Sequence, residues 1–234
     1  MTRSHKLSIV ALVLALTLAA CGGSSKKADP AADLATAKAA VLTAADLPGY
    51  KGVPHTADSK IPAKLKSDFA TCMGVSTTIF DDTPGAQKAD SLDFSKGAND
   101  EQQVSDTVEI DPKKATIDEG WQQISKPEAA PCLGKLFDGV FKESAGATPG
   151  VVFAKAVVTP FDVGIGDRSV GFAVNLSATV PHAGEIKFSA DLIYVPRDRA
   201  GLEFDFFNTG TPTDHAFETG LVQKVYDRVG DNAK

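Results

Sequence analysis

The chain has 234 residues, 43% of them hydrophobic and 23% charged, with 20 Gly and 13 Pro. That composition excludes wholesale disorder and a low-complexity fibre, and the length fits one large or two small domains. Lys and Arg number 24 against 30 Asp and Glu, a formal net charge of −6. No basic block runs along the chain, so nucleic acid is not an expected partner.

The first signal is a leader. Arg3, His5 and Lys6 make a short basic start, and residues 7–20 are apolar apart from Ser8 and Thr17. That run is short for a spanning helix and ends in a cleavage-type sequence. Leu18-Ala19-Ala20-Cys21 resembles the bacterial lipobox. The resemblance implies a signal peptide over 1–20 and a diacylglycerol (palmitate-type) modification on Cys21. It also implies a cell-membrane location on the extracytoplasmic face, with the membrane as a partner through the lipid. Gly22 follows the cysteine, so the Asp retention signal of enteric bacteria is absent. Each buried lipid methylene contributes about 0.8 kcal/mol, so two or three acyl chains anchor a protein stably. An ordinary secretory signal with a chance cysteine is the alternative.

Removing residues 1–20 takes two cations, Arg3 and Lys6, from the charge of −6 and leaves −8. Cys72 and Cys132 are then the two cysteines beyond Cys21. An even pair in an exported chain reads as one disulfide. Free thiols or metal ligands are the alternatives, but no CxxC or Cys/His spacing suits zinc.

Residues 21–30 read as a flexible polar tether. An alanine-rich helix is expected over 31–45, with Leu34, Ala37, Val41 and Ala45 at helical spacing, stopped by Pro48 and Gly49. Loop follows to Lys64, then a short helix over 65–74 that carries Cys72. Strands are expected at 76–81, 89–95 and 104–110. Asp111 is then placed to cap a helix with Pro112 at its first position, although Thr116 and Glu119 also have capping-box spacing. Trp121 and Ile124 extend its apolar side, Pro127 and Pro131 end it, and a short helix follows over 133–143.

The second half is the cleanest. Apolar residues occupy the even positions of 169–180, of 186–194 and of 202–206, which predicts three strands. Short connections make them antiparallel neighbours. Residues 151–159 add a strand, and a helix over 214–229 carries a stripe of Phe217, Leu221, Val222, Val225 and Val229. The expected fold class is α+β: a twisted antiparallel sheet with a C-terminal meander and helices packed on one face, as a single domain over 31–234.

Chemistry is scarce. His55, His182 and His215 fall in loops or at a helix start, and no pair has the spacing of a metal site, so no metal and no cofactor are expected. Ser169 does not sit in a nucleophile elbow. Gly164-Ile165-Gly166-Asp167 opens like a dinucleotide fingerprint, but a strand follows where a helix is required. Asp81, Asp82 and Asp198 lack EF-hand spacing. Asn175-Leu176-Ser177 fits a glycosylation sequon inside a strand. Trp121, Phe204, Phe206 and Phe207 are core candidates, with Phe207, which breaks the alternation, the one that best fits a ligand pocket.

Leu42-Thr43-Ala44-Ala45-Asp46-Leu47-Pro48-Gly49-Tyr50 after an alanine-rich helix, then Cys72, strands, Pro131-Cys132, a meander and a last amphipathic helix resemble the PknH-like extracellular sensor domain of actinobacterial lipoproteins and receptor kinases. The resemblance spans about 32–230. Its members commonly have two disulfides, of which Cys72–Cys132 would match one. It implies an α+β domain with a central cleft for an unidentified ligand and no catalytic residues. The function expected is a non-enzymatic ligand-binding or sensor-like module for a small molecule, lipid or envelope protein. The alternatives are a lipid carrier or assembly scaffold and, third, an enzyme, which would need carboxylates converging in a cleft with shifted pKa values.

Overall fold

A computed structural model describes residues 28–55, 61–98, 101–146 and 150–233. The expected signal peptide, Cys21 and most of the expected tether lie outside the described residues. Five α-helices are seen among them: α1 (Pro30–Ala40), α2 (Ala63–Met73), α3 (Lys114–Ile124), α4 (Ala129–Gly146) and α5 (His215–Val229). Nine strands make one sheet: β1 (Lys51–Val53), β2 (Gln87–Asp90), β3 (Asp93–Lys96), β4 (Gln102–Ile110), β5 (Val152–Phe153), β6 (Val157–Phe161), β7 (Val170–Val180), β8 (Gly184–Arg197) and β9 (Ala200–Thr209). All pairings are antiparallel, in the order β1-β3-β4-β9-β8-β7-β5. Along the sides of this path β2 pairs with β4, and β6 with β7. The α+β class and the β7-β8-β9 meander are as the sequence indicates.

Register decides where the helices go. Between β7 and β8, Phe172 faces Leu192 and Val170 faces Tyr194, so the even positions of both strands share one face. The two-residue turn at Asp198 and Arg199 then pairs Val195 with Leu202 and Ile193 with Phe204. The apolar even row of β9 therefore points to the other face. Each face carries its own apolar surface, and each is covered. Leu202, Phe204 and Phe206 pack with Val104 and Val108 of β4 under α1 and α5, and each such buried side chain contributes about 1.5–3 kcal/mol. Phe172, Leu192 and Val170 pack under Phe69 and Met73 of α2 and Leu133 of α4. The helices, expected on one face, thus divide between two.

Several local expectations shift. Residues 77–80 form a 3₁₀ turn rather than a strand. The expected strand over 89–95 breaks at Ser91, whose N–H bonds to the Asp106 carbonyl, so β2 and β3 meet the same edge of β4. The strand expected over 151–159 splits into β5 and β6. Helix α1 stops at Ala40, and Ala45 is exposed. Asp111 does not cap α3, which starts at Lys114 without a side-chain cap. Asp111 is instead buried, and its carbonyl accepts from Arg199 Nη1 at 2.7 Å. The same guanidinium grips Asp33 through two bonds of 3.0 and 2.8 Å. This pair ties α1 to the β8-β9 turn across 166 residues of chain. In α5 Asp214 is the N-cap, and Leu221, Val222, Val225 and Val229 are buried as expected, while Phe217 is exposed.

Candidate functional site

The face under α2, α3 and α4 is not fully filled. A cavity of about 380 Å³ remains there, within the roughly 300–1,000 Å³ typical of small-molecule sites. Its floor is the sheet. Phe172 on β7, Leu192 on β8 and Asp205 on β9 form one row, and Tyr194 with Glu203 forms the next. Phe69 and Met73 of α2 wall one side, and Gly120, Gln123 and Ile124 of α3 the other. Gly120 leaves space: a side chain added there would meet only the Tyr194 hydroxyl, at 3.7 Å.

The disulfide holds the α2 wall. Cys72 and Cys132 are bonded, with Cα atoms 5.7 Å apart, so the sequence pairing is correct. Cys132 is buried in the cluster that includes Phe69 and Met73. The bond therefore fixes α2 to the first turn of α4, and both to the sheet.

The cavity has two chemical ends. Its α2 side is apolar, and α3 adds Ile124 beside the Gln123 amide, whereas β9 contributes two carboxylates on one face because Glu203 and Asp205 are two residues apart in a strand. The acidic end continues along the sheet: Glu203 pairs with Thr107 and Tyr194, Asp90 with Thr107, and Glu109 with Lys88. Glu203 is exposed to the cavity, but protein surrounds it elsewhere. Burial raises its pKa to about 7, followed by Asp205, with Glu109 and Asp90 adding and Lys88 opposing. Burial likewise raises the Tyr194 phenol, with Glu203 as the next cause, and raises Glu109. The acids lower one another's tendency to ionise; Lys88 offsets this at Glu203 and Glu109, and Arg168 at Tyr194. Such an end suits a ligand group that donates hydrogen bonds or carries positive charge, and it repels an anion.

Other residues singled out in the sequence are elsewhere. Phe204 borders the cavity, although its ring stacks with Phe206 in the core of the opposite face. Phe207 is half-buried against Phe188 and does not line the cavity. Trp121 lies on α3 next to Gly120, with Arg168 over its ring at 6.0 Å. Gly164 and Gly166 both have positive φ, as a turn requires, and a side chain on Gly166 would meet the Tyr226 hydroxyl at 2.8 Å. Ser169 accepts from the Ile165 N–H in that turn. Asn175 lies within β7. His55 pairs with Asp93 at 2.7 Å, His182 occupies the β7-β8 turn with φ 68°, and His215 starts α5 next to Asp191. Glu203 and Asp205 were missed by the sequence reading. Their alternation with Leu202, Phe204 and Phe206 looks like an ordinary wet face, and only the helices across it make that face a cavity.

No family model matches the chain, and no curated protein does. Among solved structures it is similar to cyanobacterial PsbP (CyanoP) from Synechocystis sp. PCC 6803, at 13% identity and TM-score 0.34, covering 79% of this chain and 81% of that one. It is similar to the same degree, 13% identity and TM-score 0.34, to the extracellular domain of PknH from Mycobacterium tuberculosis, covering 77% of this chain and 98% of that one. Likeness at this level carries no functional argument, so the reading of function rests on the site and the sequence.

Proposed function

We propose that this chain is a membrane-anchored extracytoplasmic lipoprotein whose domain is a non-enzymatic, sensor-like module that binds an amphiphilic ligand. The cavity carries the binding part of this reading: it has an apolar wall from Phe69 and Met73 of α2, Ile124 and the Gln123 amide from α3, and a carboxylate end at Glu203 and Asp205. The favoured ligand has an apolar body and a head rich in hydroxyl or amine donors. The anchor rests on Leu18-Ala19-Ala20-Cys21, and the disulfide fits an oxidising compartment. No helix among the described residues is long and apolar enough to cross a membrane.

Two measurements test this. Metabolic labelling with a fatty-acid probe should mark the protein, and Cys21→Ala should lose both label and membrane association; a variant that keeps both refutes the anchor. Trp121 is the single tryptophan and adjoins Gly120 on the cavity wall, so its fluorescence reports occupancy. Dodecylamine should change it saturably, and dodecanoate should bind more weakly. No saturable change with either refutes the binding site.

A second reading draws on Glu203. A carboxyl group with a pKa near 7 can donate a proton to a bound substrate, with Asp205 beside it. Turnover of a bound amphiphile that Glu203→Gln abolishes, with binding kept, would favour an enzyme. As a lipid carrier, the same cavity would instead speed exchange of lipid between vesicles.

A further inference from the structure

A second cluster lies on the other face of the sheet, under the first turn of α5. His215 and Glu218 are three residues apart at the start of that helix and so share one side of it. Asp191 rises from β8 beneath them. One donor atom from each of the three lies within 4.8 Å of the others, and His215 Nε2 is 3.6 Å from Asp191 Oδ2. Glu218 is 0% exposed and Asp191 only 4%. Neither carboxylate oxygen of Glu218 has a hydrogen-bond donor in bonding geometry among the described residues. The Asp191 and Thr213 side chains face Glu218. The Thr213 hydroxyl accepts a bond from the Asn208 side chain, which leaves its own O–H able to donate to Glu218.

Two buried carboxylates set against each other are costly unless something neutralises them. The geometry points to a binding site for one zinc ion held by Asp191, His215 and Glu218. Two carboxylates and an imidazole are a donor set that zinc accepts, and a three-ligand site leaves the fourth position to water. Ligands at ~2.0–2.1 Å in a tetrahedron are about 3.3–3.4 Å apart, so the His215–Asp191 separation already fits. The other donor atoms lie within 4.8 Å, and metal binding would bring them closer by rotation of the Glu218 side chain. The His215 ring is stacked on Phe161 with centroids 4.4 Å apart, which fixes its plane. Its side chain is 54% exposed, so metal and water can enter from that side. With zinc bound, the start of α5 would be tied to the middle of β8.

The test uses the purified full-length protein in mild detergent, freed of metal with EDTA. Calorimetric titration with zinc should show one site per chain with a dissociation constant of micromolar or below. Cobalt in its place should give the visible absorption of a four-coordinate ion. His215→Ala changes an exposed side chain, so it should melt like the parent in EDTA yet bind zinc at least tenfold more weakly. Glu218→Gln should weaken binding as much, and His55→Ala should leave it unchanged. The assignment is overturned if no saturable one-to-one binding is seen, or if His215→Ala binds zinc as the parent does. Failure of Glu218→Gln to fold leaves His215→Ala to decide. A Glu218→Gln variant that gains stability without any zinc response in the parent would mean that the two carboxyl groups share a proton, and it too overturns the site.

Discussion

Removing the Cys72–Cys132 bond should destabilise the domain by a predictable amount. The bond spans a sequence separation of 60, and closing a loop of that size restricts the unfolded chain by about 4 kcal/mol in the chain-entropy model. The native side adds to the loss, because Cys132 is buried beneath α2 and the bond holds that helix to the start of α4. For a domain of about 200 residues, each kcal/mol moves the melting temperature by roughly 2–4 °C. The reduced protein, or the Cys72→Ala/Cys132→Ala double variant, should therefore melt about 8–16 °C below the oxidised parent. Circular dichroism melts with and without dithiothreitol measure this, and thiol titration of the unfolded parent should find neither cysteine free. A shift under about 3 °C would refute the reasoning, because a bond that leaves the melting temperature unchanged does not restrict the unfolded state.

The Arg199–Asp33 pair should be costly to break from one side. Asp33→Ala leaves a buried guanidinium unpaired and should lose about 3–5 kcal/mol, whereas Asp33→Ala/Arg199→Met should recover much of it; denaturant melts of the two variants check both. Stability should also fall as pH rises. Burial lifts Asp106 to about 7 against the opposing Leu42 N–H, Ser91 and Arg228, and lifts Asp111 to about 6. The folded protein thus keeps protons that the unfolded chain releases above about pH 4, so this contribution is full below that pH and is lost by about pH 7. The denaturation midpoint should be higher at pH 5 than at pH 8, by on the order of 1 kcal/mol or more, and Asp106→Asn should flatten the difference.

The strands of the meander, the last helix and the disulfide were all legible, because strict alternation, a helical stripe and an even cysteine pair are local signals. The side of the sheet that each strand buries was harder to read. The apolar even rows of β8 and β9 look like one face until the two-residue turn at Asp198 and Arg199 is counted, which pairs Val195 with Leu202 and reverses the row. That one offset moves Ser189 and Asp191 from expected solvent into burial and leaves Ile186, Leu192 and Tyr194 half-covered. Asp111 misled for a related reason. Asp-Pro before a helix is a capping signal, but Arg199, distant in sequence, claims the Asp111 backbone on both sides. Glu203 and Asp205 carried no sequence signal, since a cavity depends on which helices cross a strand.

The most direct test of the binding account is native mass spectrometry of the full-length protein, extracted gently from its own membranes, alongside Gly120→Phe. Gly120 has an ordinary backbone and faces the cavity, so phenylalanine there should fill the space while keeping the fold, as an unchanged circular dichroism spectrum would show. The parent should carry a stoichiometric, non-covalent amphiphile with a neutral or cationic head, and Gly120→Phe should be free of it. A parent without any bound molecule, or the same adduct on both proteins, would contradict the account.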